Sequence, residues 1–530
     1  MNHIYHHAKP LLGITLGLLG AMHFGIPSVS AADSPDPVAA GQASTIPTAL
    51  VTIHADRPGH VMAGGIGASW HAIREEAKPD GKYKWNLGGG TPQGSALMGN
   101  PPLAATAAWQ DIERHAAWLG LDWMRVEVDR RMFEPERGRY DWENEETQTL
   151  HRIMDWCQRH DADVFLTQMW LGVDWLAIPG VHPVRSAPND PAGFAEGFAA
   201  LVEHLQRERK YSCLKWLCLS NEPNLGGLWW ECAGKKVSQA EMTAAVRKEL
   251  DRRGLTLPIS GPDWTGFPKE TASAEDLLPS IGAVDFHEYG GSRRDPLQQM
   301  WVQWAHQNKR PFFLSEMGDM TLGWGKDHPG PASFEAALSC AQKVLYGMSL
   351  GMDAFNRWSF VNRGDMDGQW QMVRTWDRKN KVYYDRVEPE PAAYYGYAML
   401  TRFTAKHSRI LDLTVTTSEP AEKVPRFEVA ALRSPKGQTT CIILNREPQA
   451  RAIDFRWEGL SRSLPLHRYQ LTEAMLKDTA FQLRSDALTD LSPEQSRLQA
   501  TVPGRSITVY TTYDLGPNDP GVIAEASSAP

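Results

Sequence analysis

Eight short β-rich runs, with helical patterns between most of them, leave this chain few folds to choose from. The runs are "GGIGASW" (64–70), "WMRVEVD" (123–129), "VFLTQMW" (164–170), "KWLCLSNE" (215–222), "LPISGPDW" (257–264), "AVDFHEY" (283–289), "PFFLSEM" (311–317) and "AFNRWSF" (354–360). Stretches such as "DIERHAAWLG" (111–120), "TLHRIMDWCQRHD" (149–161), "GFAEGFAALVEHLQRE" (193–208) and "SFEAALSCAQKVLYGMSLG" (333–351) carry the helical spacing between them. Alternation of this kind predicts parallel βα units. Eight of them are what a (β/α)8 TIM barrel requires, and residues 63–405 suit that fold with loop insertions. An open doubly wound sheet is the rival architecture. No GxGxxG follows the first run, so a nucleotide-binding version of it has little support.

The pattern changes near Arg409. "RFEVAALRS", "TTCIILNRE", "ARAIDFRW", "LHRYQLT" and "SITVYTTYDL" alternate without long helices, which predicts an accessory antiparallel β-sandwich over 406–516. Of the twenty tryptophans only Trp457 lies in that region, so the aromatic residues are concentrated in the barrel. Residues 33–62 read as a linker, in which "TALVTIHAD" (48–56) is a candidate further strand of the sandwich. The tail, 517–530, reads as disordered.

Partners are bounded by charge and by the first residues. A net charge of −8 gives no reason to expect nucleic acid. The N-terminus has a weakly basic start at His3, His6, His7 and Lys9. An apolar core from Leu11 to Ile26 follows, then small residues suited to cleavage near Ala31 or Ala32. This is the pattern of an export signal, residues 1–32, and its apolar part is short for a membrane span. The expectation is an exported protein, periplasmic or extracellular, with no membrane insertion. The six cysteines show no paired CxxC spacing, which argues against a zinc site of that kind and leaves any disulfide open.

Side chains at the C-terminal ends of barrel strands point into the active-site mouth. Arg125, Gln168, Glu222, Trp264, His287, Tyr289, Glu316 and Trp358 fall at or near such ends. Glu222 and Glu316, on the fourth and seventh strands, are the carboxylates among them, and those strands face each other across a closed barrel. Two facing carboxyl groups are the minimal apparatus for cleaving a glycosidic bond: one protonates the departing oxygen, the other attacks the anomeric carbon or activates water. Glu288 is an acid between His287 and Tyr289, and alternation points it the other way.

Taken together, these segments resemble retaining glycoside hydrolases of clan A. "LSNEPNL" resembles the Asn-Glu-Pro element that closes their fourth strand, and "FFLSEMG" their seventh-strand nucleophile segment. "DFHEYGG" resembles the sixth-strand His-x-Tyr, and "MRVEVD" matches the second-strand arginine. Trp358 sits where the eighth strand supplies a platform tryptophan. The resemblance covers Gly64 to Phe360. "AAYYGYAMLTRF" followed by a β module looks most like families 30 and 39, while "SEMG" is closer to family 5.

The resemblance implies Glu222 as acid/base and Glu316 as nucleophile. Asn221 would bind the sugar 2-hydroxyl. Arg125 and Tyr289 would hold Glu316 ionised, His287 would bond near Glu222 or the substrate, and Trp358 would stack beneath the ring. It implies a carbohydrate substrate, a covalent glycosyl-enzyme, and no metal or organic cofactor.

Tryptophans are mostly core residues, so others are weaker candidates for sugar contact. Trp70, Trp170 and Trp264 qualify by lying at strand ends. Trp229, Trp230 and Trp324 qualify by lying in loops after catalytic strands. "GDMDG" (364–368) lacks the distal glutamate of a calcium loop and reads as a turn. The rival functions are a catalytically silent carbohydrate-binding barrel and a transglycosylase with the same site. Two intact glutamates argue against the first.

Overall fold

The computed structural model describes residues 47–57, 59–72, 99–181, 183, 186–224, 238–291, 294–323, 327–361, 370–377, 382–417, 426–516 and 519. The export segment, most of the linker, nearly all of the tail, Trp229, Trp230, Trp324 and "GDMDG" lie outside them. The first strand, β1 (Thr48–His54), precedes a closed barrel. The barrel strands are β2 (Gly65–Ser69), β3 (Trp123–Asp129), β4 (Asp163–Trp170), β5 (Leu214–Cys218), β6 (Ile259–Thr265), β7 (Ala283–Glu288), β8 (Phe312–Met317) and β9 (Ala354–Arg357). Every neighbouring pair is parallel, and β2 closes against β9 with Gly65 opposite Ala354 and Ala68 opposite Arg357.

The α-helices among the described residues are α1 (Thr106–Leu119), α2 (Arg130–Phe133), α3 (Glu145–Arg159), α4 (Pro191–Glu203), α5 (Gln239–Arg252), α6 (Pro296–Gln307), α7 (Phe334–Leu350) and α8 (Pro391–Thr401). Several start where the sequence supplies a side-chain cap. Asn144 accepts from Thr147 N, Asp190 from Gly193 N, Ser238 from Glu241 N and Ser333 from Ala336 N.

Period-2 alternation sorts each barrel strand into two layers. Along β3, Met124, Val126 and Val128 join the large apolar core beneath the helices. Trp123 instead joins Phe165, Trp216, Cys218, Ala283, Phe313 and Ala354 in a separate plug inside the barrel. Gly67 makes room for it, because a Cβ there would meet the Trp123 carbonyl oxygen at 2.0 Å. The plug fills the barrel floor and leaves the polar interior residues above it, toward the strand ends.

Two strand ends differ from the sequence reading. β5 stops at Cys218, and Glu222, four residues on, has φ +48°, a left-handed conformation no strand continues through. β9 stops at Arg357, so Trp358 lies just beyond its strand.

A hairpin, β10 (Val373–Asp377) with β11 (Val382–Pro389), follows the barrel. Then come β12 (Arg409–Ile410), β13 (Asp412–Thr417), β14 (Phe427–Arg433), β15 (Thr439–Asn445), β16 (Arg451–Glu458), β17 (Leu464–Thr472), β18 (Ala487–Leu491), β19 (Arg497–Val502) and β20 (Ser506–Thr511). They form a six-stranded sheet, β12-β14-β15-β20-β17-β18, and a four-stranded one, β13-β1-β16-β19. The segment before the barrel thus enters the sandwich: β1 runs antiparallel to β13 and parallel to β16.

β14 and β15 explain how sandwich and barrel join. Val429, Ala431, Cys441 and Ile443 face the core between the two sheets. The alternate residues Ala430, Leu432, Ile442 and Leu444 join the barrel's core. A strand buried on both faces reads as one apolar run, which is what "CIIL" does. β12, β13, β18 and β19 escaped the sequence reading because they are very short or bury at most one residue. Cys157, Cys213, Cys218, Cys340 and Cys441 are buried free thiols. No described helix is long and apolar enough to cross a membrane.

Candidate active site

Arg125 is the centre of the polar layer above the plug. It is fully buried, and a buried guanidinium must be paired. Nη1 donates to Glu127 Oε1 and, at 2.6 Å, to Glu316 Oε2. Nη2 donates to Asn221 Oδ1 at 2.7 Å and to Asp263 Oδ2 at 3.4 Å. One side chain on β3 therefore ties together residues from β6, β8 and the turn after β5. The Asn221 contact has a chemical consequence. With Oδ1 engaged by the guanidinium, Asn221 presents Nδ2 as a donor to a substrate.

Glu316 and Glu222 stand close together but are held differently. Glu316 is gripped at both oxygens, Oε2 by Arg125 and Oε1 by the Tyr289 hydroxyl. Glu222 accepts at Oε1 from His287 Nδ1 at 3.0 Å, and no further side-chain partner holds it among the described residues. The same Nδ1 lies 3.7 Å from Glu316 Oε1. Donor atoms of Glu222, His287 and Glu316 all fall within 4.8 Å of one another, so the two carboxylates share one pocket floor.

Charges follow from this packing. Burial raises the pKa of Glu316 above its ordinary value and outweighs His287, Arg125 and Tyr289, which pull it down. Arg125 and Tyr289 do contact Glu316 as expected, but the net direction is set by desolvation. Burial alone would lower His287, yet Glu316 and Asp263 hold it well above the usual histidine range. His287 is therefore an imidazolium, with Nδ1 directed at Glu222 and Nε2 at Asp263 Oδ1, 3.0 Å away. An imidazolium has no lone pair for a metal, so Glu222, His287 and Glu316 do not suit a cation despite their spacing.

Asp263 is the residue the sequence reading missed. It is fully buried on β6, and although burial opposes ionisation, His287 and Arg125 bring its pKa down to about 2. Asp285 lies below it: Oδ1 accepts from the Asp263 amide at 3.1 Å. Burial and the Asp263 carboxylate push Asp285 well above the ordinary range, so it carries the proton of the pair. The signal was in "SGPDW", but strict alternation selected its neighbour. A bulge between Pro262 and Trp264, with Asp263 at φ +58°, turns Asp263 inward instead.

Two tryptophan expectations, Trp70 and Trp264, need correction. Trp70 is 0% exposed; its indole donates to Asn100 Oδ1 at 2.8 Å and packs against Trp109, Trp156 and Phe360, leaving no face for a sugar. Trp264 donates to Gln239 Oε1 and sets its edge against Phe286 and Trp301, in the layer between strands and helices. Trp170, past a register shift at the end of β4, is buried in the same apolar core that includes Trp358. Trp358 does lie beside the site. Its ring rests 4.7 Å from that of His71, whose Nδ1 is 3.6 Å from Glu127 Oε2. Glu288 is turned outward, where it accepts from Gly290 N at 2.6 Å and Gln298 Nε2 at 3.2 Å.

Trp370 is a further aromatic neighbour that no strand pattern could reveal. It meets Tyr289 edge to face at 5.5 Å. Gly318 permits this: a Cβ there would lie 2.4 Å from Trp370 Cζ3 and 2.8 Å from Tyr289 Cε1. A glycine next to β8 thus sets where the tyrosine hydroxyl can reach.

No family model matches the sequence, and no curated protein matches it. Solved structures do match in fold. The chain is similar to a glycoside hydrolase family 30 subfamily 8 xylanase, Xyn30A, from Clostridium acetobutylicum, at 15% identity and a TM-score of 0.56, over 87% of this chain and 98% of that one. It is similar to a glucosidase from Croceicoccus marinus at 12% identity and a TM-score of 0.57, over 88% and 98%. An α-L-arabinofuranosidase from Thermotoga maritima matches at 12% identity and a TM-score of 0.54, over 88% and 99%. The fold is that of the clan A glycoside hydrolases. Barrel and sandwich are both included in the match, since 87–88% of this chain is more than the barrel alone could supply.

Proposed function

We propose that this protein is an exported retaining β-glycosidase that works through a covalent glycosyl-enzyme. One observation carries the reading: Glu222 and Glu316 present carboxylate oxygens within 4.8 Å of each other at the strand ends of one barrel. That spacing suits the roughly 5–5.5 Å of retaining enzymes rather than the roughly 6.5–9.5 Å that leaves room for an inverting water.

The contacts divide the labour. Glu316, oriented at both oxygens, is the nucleophile. Its carboxylate attacks the anomeric carbon as the glycosidic bond breaks, while Glu222 gives its proton to the leaving oxygen. Glu222 then takes a proton from water, the water oxygen bonds to the anomeric carbon, and the Glu316 carboxylate departs. Asn221 donates through Nδ2 to the 2-hydroxyl, a contact that strengthens as positive charge develops on the ring. His287 keeps Glu222 in place and has Asp263 behind it.

A xylanase, a glucosidase and an arabinofuranosidase share this fold, so the barrel itself selects no sugar. The substrate class is a β-linked oligo- or polysaccharide outside the cytoplasm, the export reading resting on residues 1–32 alone.

A panel of 2-fluoro aryl glycosides, followed by peptide mapping, tests the assignment. A stable adduct on Glu316, absent in Glu316→Gln, is expected. An adduct on Glu222 or Glu288, or unchanged turnover in Glu316→Gln, would overturn it.

A further inference from the structure

We propose that His60, His306 and Asp353 form a binding site for a divalent transition-metal ion, zinc by its ligand chemistry, at the end of the barrel opposite the carboxylate pair. The three residues come from separate parts of the chain: the segment before β2, the last turn of α6, and the position just before β9. His60 Nε2 lies 3.0 Å from Asp353 Oδ1, and His306 Nε2 lies 3.4 Å from Asp353 Oδ2. Ligand atoms of all three fall within 4.8 Å of one another. Tetrahedral zinc with bonds of about 2.0–2.1 Å needs ligand atoms roughly 3.3 Å apart, so small rotations of two half-exposed imidazoles would complete the set. Two imidazoles and one carboxylate are a zinc-type donor set, with a fourth position left for water.

Asp353 is built as a ligand would be. Its side chain is buried, and backbone amides orient both oxygens: Ala63 N donates to Oδ1 at 3.4 Å and Phe312 N to Oδ2 at 2.9 Å. Such outer hydrogen bonds are what fix a ligating carboxylate. Among the described residues no Lys or Arg pairs with Asp353; its ionic partners are the two histidines.

The surroundings leave room for the ion. The two rings are stacked, with centroids 5.2 Å apart, and lie over Gly351. Both line a groove of about 670 Å³ between the barrel and residues 410–413 and 429–430 of the sandwich. The site also lies at the barrel seam. The Asp353 carbonyl accepts from Gly64 N and Gly65 N, and its amide donates to Phe312 O. A metal here would clamp the first strand to the last two. Sequence could not show it, because no local spacing links positions 60, 306 and 353.

The test uses the full chain without a histidine tag, stripped by chelator and dialysed against ZnCl2. Wild type should retain one equivalent of zinc more than His60→Gln or His306→Gln, and its thermal midpoint should rise with ZnCl2 while theirs do not. His3, His6 and His7 are common to all three proteins and cancel. Substituted Co2+ should give the ligand-field absorption of a low-coordinate site, lost in the variants. X-ray absorption on the wild-type zinc form needs no variant and should count two imidazoles. Equal zinc in wild type and variants, or a zinc centre without imidazole, would overturn the site. Glycosidase activity does not enter the readout, so the result stands apart from the function proposed above.

Discussion

The amide of Glu222 donates to the carbonyl of Asp263 at 3.1 Å, and both residues hold left-handed backbones, φ +48° and +58°. Non-glycine residues adopt that region at a cost of about 1–3 kcal/mol and persist in it when their surroundings over-determine them. Here the backbone bond and the shared His287 lock two carboxylates into one frame. Asp263 thus holds Glu222 in place through its backbone and through His287.

Asp263→Asn should therefore reduce kcat more than it raises KM. The imidazolium loses its anionic support, and a displacement of about 1 Å at Glu222 is worth roughly 10²-fold. His287 should also titrate at lower pH, since Asp263 raises its pKa. Steady-state kinetics and histidine NMR check both, and wild-type values in the two together would remove Asp263 from the machinery.

Glu222→Ala should slow substrates with poor leaving groups by about 10²–10⁴-fold and activated aryl glycosides far less, because only the former need the proton. A leaving-group series measures this. Equal losses across the series would mean that Glu222 is not the acid.

Tyr289→Phe should move the acid limb of kcat/KM to higher pH. The Tyr289 hydroxyl lowers the pKa of Glu316, and without it burial pushes that pKa further up. Glu316 is then protonated, and useless as a nucleophile, over a wider acidic range. A hydrogen bond to a charged group corresponds to a shift of about one pH unit. A limb that stays put would sever Tyr289 from the nucleophile's ionisation.

Asp122→Asn tests burial away from the site. Asp122 Oδ2 accepts from Ile66 N, and burial raises its pKa from 3.8 to about 7. The folded state holds this proton more tightly than the unfolded chain. The resulting stability is fully present below pH 4 and is lost as pH rises toward 7. Asn keeps an acceptor but cannot titrate, so its advantage over wild type should grow by a few kcal/mol, to order of magnitude, between pH 4 and 8. Urea midpoints across that range decide it; parallel curves would contradict the shift.

What sequence could and could not show follows from geometry. Arg125, Glu316 and His287 were legible because period-2 alternation and strand ends are local, and they place a side chain at the mouth without knowledge of its neighbours. Asp263 was not, because one bulge reverses the parity that such reading depends on. Trp70 was read as a sugar platform because it ends a strand, but Asn100, thirty residues on, captures its indole. His71, Trp370 and Gly318 matter through contacts between segments far apart in the chain, which leave no periodic trace. The sandwich was legible where strands keep at least one buried face, as in "CIIL" and "ARAIDFRW", and lost where they are short or have almost no buried residue.

The placement of Thr48–His54 between β13 and β16 bears on how the chain can be divided. The polypeptide that a ribosome delivers early waits for neighbours synthesised after the entire barrel. Cutting at residue 406 would therefore release a C-terminal piece with a gap down the middle of one sheet. Adding a peptide covering residues 47–56 should fill it, making the excised module a natural candidate for fragment complementation.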